Sequence, residues 1–346
     1  MAAGREYRTL VCEPIIPKEN YFRGAIRSDS RLLAMGMSDG VRLWNLARGG
    51  QLAFLPVGQT GSVLFEPSGE LLTFGDAGLL RWPLRADPAS TGHLRLGPPQ
   101  KLPVPAAFAQ AAHSQDGKVI ASAQFNRGGL VLHADLPDHP IPLRPHADVR
   151  CIAVSPDGQW AVTGSHNGTG VKVWEARTGT LVTELMPEQS HSSVGFSPDG
   201  RWLATSGGGC RLWAVGTWRE GLQIGGVAFA FSPDSKVLAV ETGRGMIRLV
   251  DPETTREYAR LEDPHQDRAG WIGFSPDGTQ LVATNGESQS IHVWDLRAIR
   301  RQLADIGLDW NQPPYPPPAV SREAIPLQVT VDLGELAKGA AKENAR

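Results

Sequence analysis

Nine histidines and three cysteines supply the side chains most suited to metal binding or nucleophilic chemistry. Their spacing matches no such site: the sequence has no HExxH, HxH or paired CxxC, and Cys12, Cys151 and Cys210 are isolated. Residues 164–166 (GSH) lack the G-x-S-x-G of a nucleophile elbow, and residues 207–209 (GGG) lack the lysine of a phosphate loop. We therefore predict a protein that is not an enzyme, with no catalytic residues, no metal site and no cofactor.

A short turn sequence recurs along the chain with a period of about 40 residues. Its clearest copies read FSPDG, in which proline and glycine suit the dihedral angles of a tight turn. An apolar run and a second landmark, usually tryptophan, follow each copy. The copies begin at Arg27, Phe65, His113, Val154, Phe196, Phe231 and Phe274, and the landmarks are Trp44, Trp82, His133, Trp174, Trp213, Val250 and Trp294.

The unit at residues 149–186 is the most regular and divides into four apolar segments separated by turns. Four such segments form one antiparallel sheet, which cannot bury both of its faces alone. The repeated sheets must therefore stack around an axis. This pattern predicts an all-β fold: a seven-bladed β-propeller of four-stranded antiparallel blades, followed by a short C-terminal helix and an extended Pro-rich tail.

The SPDG turns followed by V-x-V-W, and the pair Trp294-Asp295, resemble the repeats of the WD-repeat family over about residues 20–296. Within that family, the chain resembles bacterial WD-repeat proteins in which propellers are joined to protein kinase or helical-repeat modules. No kinase motif is present in this sequence. The resemblance implies a propeller that binds other proteins.

The resemblance also implies a structural tetrad of His, Ser or Thr, Asp and Trp in each blade. His146 and His265 lie near the expected histidine position, and Asp39 and Asp76 lie near the expected aspartate position. No unit has all four residues. We therefore expect the blades to be held mainly by apolar packing, with weaker polar links.

The repeat boundaries place the propeller at residues 5–296. We expect residues 7–13 to pair beside the strand ending at Trp294, because an open ring would leave unpaired sheet edges. A long segment, residues 84–107, runs from the second unit into the third, and the strand register of these two units is hardest to predict. The expected blades span residues 21–56, 57–104, 105–144, 145–187, 188–223, 224–263 and 264–296.

Beyond the last repeat the apolar spacing becomes helical and predicts an amphipathic helix over residues 296–307, with Asp295 as its N-cap. Arg297, Arg300 and Arg301 fall on the other face, which we interpret as a solvated surface.

Residues 308–346 are expected to form a Pro-rich linker and tail. NQPPYPPP is typical of polyproline II, and we interpret it as a linker. The later segment AIPLQVTVDLGEL alternates as a strand does, but the sequence offers it no evident partner.

The composition is that of a globular protein, with 41% hydrophobic and 20% charged residues and a net charge of -2. This charge gives no bulk attraction to nucleic acid or to anionic membranes. The sequence shows neither a signal peptide nor an apolar stretch of about 18 residues. Isolated cysteines fit a reducing compartment. We expect a cytoplasmic, monomeric propeller that binds proteins or peptides, not nucleic acid or membranes.

Loops before the first strand and between the second and third strands of each blade form one variable face of a propeller. Arginine, tyrosine and tryptophan are enriched at interaction hot spots. The candidate partner-binding residues in these loops are Tyr21, Arg23, Arg150, His191, Arg268 and Trp271.

These residues favour a protein–protein interaction scaffold or sensor domain within a signalling architecture. Two alternatives stay open. One is a propeller-fold hydrolase or lactonase with a site in the central channel, which would need acidic or histidine side chains from several blades. The other is a purely structural propeller that positions flanking domains.

Overall fold

The computed structural model of the chain describes residues 6–11, 23–168, 170–285, 290–310, 312–315 and 326–337. Within these ranges the regular structure is almost entirely β-strand, with one α-helix and one 3-10 turn. The strands form seven four-stranded antiparallel sheets, numbered here in chain order, and one smaller sheet of three strands. The prediction of an all-β protein with four-stranded antiparallel sheets and a C-terminal helix is confirmed.

The N-terminal strand β1 (Tyr7–Val11) belongs to the last sheet, and the strands of sheets 1 to 3 follow it. Sheet 1 consists of β2 (Arg23–Ile26), β3 (Leu32–Gly36), β4 (Val41–Asn45) and β5 (Gln51–Leu55). Sheet 2 consists of β6 (Thr60–Phe65), β7 (Leu71–Gly75), β8 (Gly78–Trp82) and, after a hairpin of β9 (Leu84–Ala86) and β10 (His93–Leu96), β11 (Gln100–Lys101). Sheet 3 consists of β12 (Ala111–His113), β13 (Val119–Ala123), β14 (Gly129–His133) and β15 (Leu136–Leu143).

The remaining sheets follow without an inserted hairpin. Sheet 4 consists of β16 (Val149–Val154), β17 (Trp160–Ser165), β18 (Val171–Glu175) and β19 (Leu181–Leu185). Sheet 5 consists of β20 (Val194–Phe196), β21 (Trp202–Ser206), β22 (Cys210–Ala214) and β23 (Arg219–Ile224). Sheet 6 consists of β24 (Phe229–Phe231), β25 (Leu238–Gly243), β26 (Met246–Val250) and β27 (Glu257–Glu262). Sheet 7 consists of β28 (Ala269–Phe274), β29 (Gln280–Asn285), β30 (Ser290–Asp295) and β1, and α1 (Leu296–Asp305), β31 (Gln328–Val331) and the 3-10 turn (Gly334–Leu336) come last.

The first strands of neighbouring sheets lie side by side and form a ring. β2 lies beside β6, and the series continues through β12 and β16 to β20. A Cβ added at Gly195 of β20 would lie 3.1 Å from the ring of Phe229 in β24, and β28 lies beside both β24 and β2. The ring therefore closes around a central channel, and sheets arranged in this way form a β-propeller.

The recurring SPDG sequence forms one hydrogen-bonded turn. In sheet 4, Ser155 Oγ donates to Asp157 Oδ1 (2.5 Å) and accepts from the N–H of Trp160 (2.9 Å). Asp157 Oδ1 also accepts from the N–H of Gln159, and Gly158 has a φ of 73°. Because the serine and aspartate satisfy the turn locally, the same pair of residues gives the same turn in sheets 3 to 7. The equivalent pairs are Ser114–Asp116, Ser197–Asp199, Ser232–Asp234 and Ser275–Asp277.

Side-chain hydrogen bonds link the second and third strands in sheets 2, 4 and 5. The buried indole N–H groups of three tryptophans each donate to a threonine on the neighbouring strand. In sheet 4, His146 Nδ1 also hydrogen-bonds Thr163 Oγ1 at 2.7 Å, which completes three members of the implied tetrad. The tryptophan–threonine pairs are Trp82–Thr73 (3.0 Å), Trp174–Thr163 (2.8 Å) and Trp213–Thr205 (2.9 Å).

The other candidate tetrad residues have local roles. Asp39 forms an ion pair with Arg42 at 2.6 Å, and Asp76 accepts from the backbone N–H of Gln59 at 3.0 Å. His265 lies on the surface, with its side chain 67% exposed. Of the candidates, only His146 joins a tryptophan–threonine pair.

A buried network fixes β1 to sheets 6 and 7. Tyr7 OH donates to Asp263 Oδ1 (3.0 Å) and contacts His292 Nδ1, while Ser290 Oγ lies 2.8 Å from His292 Nε2. One assignment satisfies these contacts: Nδ1–H donates to Tyr7, and Nε2 accepts from Ser290. Burial raises the pKa of Tyr7 to about 12 and lowers the pKa of His292, so both side chains are neutral at pH 7.

The helix α1 begins after Asp295, whose carboxylate accepts from the N–H of Ala298 at 2.9 Å. The interpretation of Arg300 as part of a solvated surface is wrong, because this side chain is only 6% exposed. Its guanidinium forms a two-bond ion pair with Asp309, each bond 2.9 Å long, and donates to the carbonyl of Pro313 at 2.7 Å. The segment after the helix has folded back over Arg300.

The expectation that the tail lacks a partner strand is also wrong for residues 326–337. β31 pairs in parallel with β10, and β10 pairs on its other edge with β9. The sequence alternation identifies β31 as a strand, but its partner lies in the inserted hairpin of sheet 2, more than 230 residues earlier in the chain.

Candidate functional site

Arg23 reaches across the central channel. It is the first residue of β2 in sheet 1, and its Nη2 lies 3.9 Å from the sulfur of Cys151, in β16 of sheet 4 on the other side of the ring. Cys151 Sγ in turn lies 3.9 Å from Ser193 Oγ, at the start of sheet 5. Among the residues that the structure describes, no carboxylate lies within ion-pair distance of Arg23. Its charge is therefore available to a ligand.

A cavity of about 230 Å³ lies beside Arg23, between the first strands of sheets 5, 6 and 7. Its walls combine the Arg23 side chain with aromatic rings and exposed backbone. The aromatic residues that line it are Phe196, Phe229, Phe231 and Trp271. A cation among aromatic faces suits a ligand that carries both a negative charge and apolar carbon atoms.

Trp271 is fixed in the cavity wall by two glycines. A Cβ at Gly24 would lie 2.9 Å from the indole ring, and a Cβ at Gly273 would lie 2.5 Å from it. The ring therefore lies directly against the backbone of β2 and β28, where no other residue type would leave room. Trp271 both packs between sheets 1 and 7 and presents a face to the cavity.

Arg150 and His191 lie at the channel opening near Arg23. Arg150 forms an ion pair with Asp148 at 3.1 Å and lies 5.5 Å above the ring of Phe125. The His191 ring makes an edge contact with His166, with ring centres 4.4 Å apart. Partial desolvation lowers the pKa of His191, and the positive charges of His166, Arg23 and Arg150 lower it further. Two arginines and two histidines near this opening therefore favour a positive local potential, and Asp148 offsets part of the Arg150 charge.

The pKa of His191 provides a test of that potential. We expect an NMR titration of its ring to give a midpoint below the ordinary value of about 6.5, and Arg150→Gln to raise that midpoint. Because the folded protein disfavours the charged ring, the stability that neutral His191 contributes is lost as the pH falls below about 6.5. Arg177→Gln, on the opposite face, should leave the midpoint unchanged. An unchanged midpoint in Arg150→Gln would show that the charge of Arg150 does not lower the pKa of His191.

Arg268 lies apart from this group, next to the buried carboxyl of Glu241 in sheet 6. Glu241 is 2% exposed, and its Oε1 accepts no hydrogen bond from the described residues. Desolvation raises the pKa of Glu241, although the charge of Arg268 and the N–H of Gly243 act in the opposite direction. Arg268 therefore acts on a carboxyl inside the protein and is not among the residues that line the cavity.

The structure thus brings together four of the six predicted binding residues, namely Arg23, Arg150, His191 and Trp271, which with His166 we call the channel mouth. Tyr21 lies outside the described residues. Sequence reasoning missed Cys151, Phe229 and Glu241. Of these, only Glu241 could have been recognised from the sequence, because it is a charged residue within the mainly apolar segment VLAVETG.

One arrangement that could suggest catalysis is structural. Ser290, His292 and Asp263 form a cluster, but Ser290 and Asp263 both approach the same nitrogen, His292 Nε2, at 2.8 and 3.6 Å. A nucleophilic triad needs the aspartate on the opposite nitrogen, where this protein has Tyr7. In the described parts of the chain, no three His, Cys, Asp or Glu side chains are grouped closely enough to hold a metal ion. No described helix is long and apolar enough to cross a membrane.

Comparison with known proteins identifies repeats and partial relatives. Residues 140–175, 180–214 and 263–295 match the family model "WD domain, G-beta repeat". Periodic tryptophan protein 2 homolog of Dictyostelium discoideum is 29% identical over 178 residues, which is 47% of this chain and 18% of that protein. WD repeat-containing protein SL1-17 of Schistosoma mansoni is 32% identical over 135 residues, 37% of this chain and 44% of that protein.

A third relative matches a shorter segment. Ribosome biogenesis protein bop1-A of Xenopus laevis is 42% identical over 55 residues, which is 16% of this chain and 7% of that protein. Each of these alignments covers less than half of the relative. The three segments that match the family model contain most of sheets 4, 5 and 7. Three segments of this β-propeller chain therefore match the WD40 repeat.

Proposed function

We propose that this chain is a seven-bladed propeller that acts as a non-catalytic scaffold and binds other proteins at the channel mouth. The observation that carries this proposal is the position of Arg23. Its guanidinium extends into the channel beside an aromatic cavity, with no carboxylate of the described residues to neutralise it. A partner that supplies a carboxylate would form a charge-assisted, two-bond contact there.

The chemistry of the channel mouth favours an acidic protein segment. A cavity of about 230 Å³ is smaller than the typical site for a whole small-molecule ligand, and it suits a single inserted side chain. Trp271 offers an aromatic face to the carbon atoms of an Asp or Glu side chain, while Arg23 binds the carboxylate. With a net charge of -2, the chain has no general attraction for nucleic acid.

The proposal includes the setting of the scaffold. We place the propeller at residues 5–296, as a cytoplasmic monomer. Cys151 and Cys210 are free and buried, which fits a reducing compartment, and burial raises the pKa of Cys210 to about 12. A thiol with so high a pKa is unreactive. Such a module suits a signalling protein or a large assembly, and the name of the Xenopus relative, a ribosome biogenesis protein, favours assembly.

Neutral substitutions in the channel test the proposal. The chain of residues 1–346 is immobilised, and the proteins that it captures from native lysate are quantified by mass spectrometry. We expect the double variant Arg23→Met, Arg150→Met to lose the partners that the parent captures, because both positive charges are removed while the apolar stems remain. A Glu-rich peptide added in excess should release the same partners from the parent.

The matched control is the double variant Arg177→Met, Arg201→Met. These arginines form exposed ion pairs with Asp135 and Asp199 at the opposite end of the sheets, so their loss should leave capture intact. Equal capture by the channel variant and this control would exclude the channel mouth as the binding surface.

A further inference from the structure

The chain's own C-terminal segment occupies a groove on the outside of the propeller. Residues 327–333 run between the β9–β10 hairpin and β5, the outermost strand of sheet 1. Their apolar side chains alternate strictly with exposed polar positions, and every second residue faces the groove. The inward residues are Leu327, Val329, Val331 and Leu333, and they pack with Leu52, Trp82, Leu94 and Leu96.

Backbone pairing sets the direction of this segment. The N–H of Gln328 donates to the carbonyl of Gly92 (3.0 Å), and the N–H of Asp332 donates to the carbonyl of Leu96 (2.8 Å). These bonds involve no particular side chain of the segment. Main-chain bonds with pockets for alternate side chains are the features by which proteins recognise added strands.

One glycine keeps the end of the groove open. A Cβ at Gly97, which has a φ of +99°, would lie 2.1 Å from the carbonyl oxygen of Asp332. Any other residue at this position would be strained in itself and would collide with the docked segment.

We propose that this groove is a second binding site, for extended peptides with large aliphatic residues at alternate positions, and that residues 327–333 occupy it in cis. Four buried aliphatic side chains and a short run of parallel-strand hydrogen bonds favour binding. The entropy cost of ordering the segment offsets part of this free energy, so the remaining affinity is moderate. Covalent connection supplies an effective concentration in the millimolar range, which keeps the segment docked. A partner peptide with the same pattern competes for the groove.

A variant of the whole chain, residues 1–346, in which the tail segment docks less tightly, tests the site. The variant Val329→Asp, Val331→Asp places charges against the groove and should release the segment. A fluorescent peptide with the sequence of residues 326–337 is then titrated into it, and binding is read by anisotropy. We expect this variant to bind the peptide at least about tenfold more tightly than the parent, whose groove is filled in cis. Adding Gly97→Val to the variant should abolish binding.

Circular dichroism and thermal melting must show that the released variant is folded. A folded variant that does not bind the peptide overturns the proposal, and so does equal binding with Gly97→Val present or equal binding by the parent. The parent gives an independent measurement that needs no variant. Excess peptide carrying Val331→Ile, distinguishable by mass, should accelerate hydrogen exchange in residues 327–333 but not in β30. Unchanged exchange in residues 327–333 overturns the proposal as well.

Discussion

Replacing Arg300 by lysine is expected to lower the free energy of unfolding by about 3 kcal/mol. The Arg300 guanidinium is buried and bonds Asp309 with two parallel contacts, and it also donates to the carbonyls of Gln312 (2.6 Å) and Pro313 (2.7 Å). The guanidinium carbon also lies over the rings of Trp310 and Tyr315, 5.0 and 5.2 Å from their centres. A lysine ammonium has neither the planar fork nor enough donors to replace these contacts.

Urea unfolding, with hydrogen exchange of residues 309–315, measures the effect. We expect those amides to exchange faster in Arg300→Lys, because the segment loses its anchor on α1. Arg301→Lys is the matched control, since Arg301 is exposed on the same helix and its replacement should stay within about 0.5 kcal/mol of the parent. If both variants match the parent, the guanidinium does not hold the segment.

Thr163→Val is expected to cost about 2–4 kcal/mol of stability, although the two side chains have almost the same shape. The buried hydroxyl of Thr163 accepts from the indole of Trp174 and hydrogen-bonds His146 Nδ1. Valine deprives both groups of this partner inside sheet 4, where water cannot replace it. The loss should appear as a lower thermal midpoint.

Thr73→Val is the comparison that isolates the contribution of His146. Thr73 accepts from the indole of Trp82 at 3.0 Å, and no histidine joins this pair. We therefore expect Thr73→Val to cost about 1–2 kcal/mol, less than Thr163→Val. Equal losses would show that the His146 contact contributes nothing measurable.

Local chemistry explains what could be predicted from the sequence. The SPDG turn contains all its hydrogen-bonding groups within six residues, from Ser155 to Trp160, so its repetition identified the four-stranded sheets. At the candidate site, the arginines and Trp271 stood out by residue type and by their place in loops or at strand ends. Their convergence on one channel follows from the ring, which the repeat predicts.

The features that could not be predicted depend on distant partners. Helical periodicity correctly places Arg300 opposite the apolar face, but nothing in α1 indicates that Asp309 and Pro313 return to cover it. The alternation of apolar and polar residues identifies β31 as a strand. Nothing in the sequence of β10 indicates that it pairs in parallel with a second strand. Likewise, the contact between Arg23 and Cys151 joins opposite sides of the ring, and the sequence near either residue does not predict it.

The pairing of β1 with β30 also bears on how the protein is made. A ribosome synthesises β1 nearly 290 residues before β30, so at roughly 5–20 residues per second Tyr7 and Leu10 wait about 15–60 s for the strand that covers them. Sheets 1 to 6 contain only strands close in sequence and can form in the meantime. Closure of the ring is therefore the step of highest contact order, and we expect it to come last and to be slow.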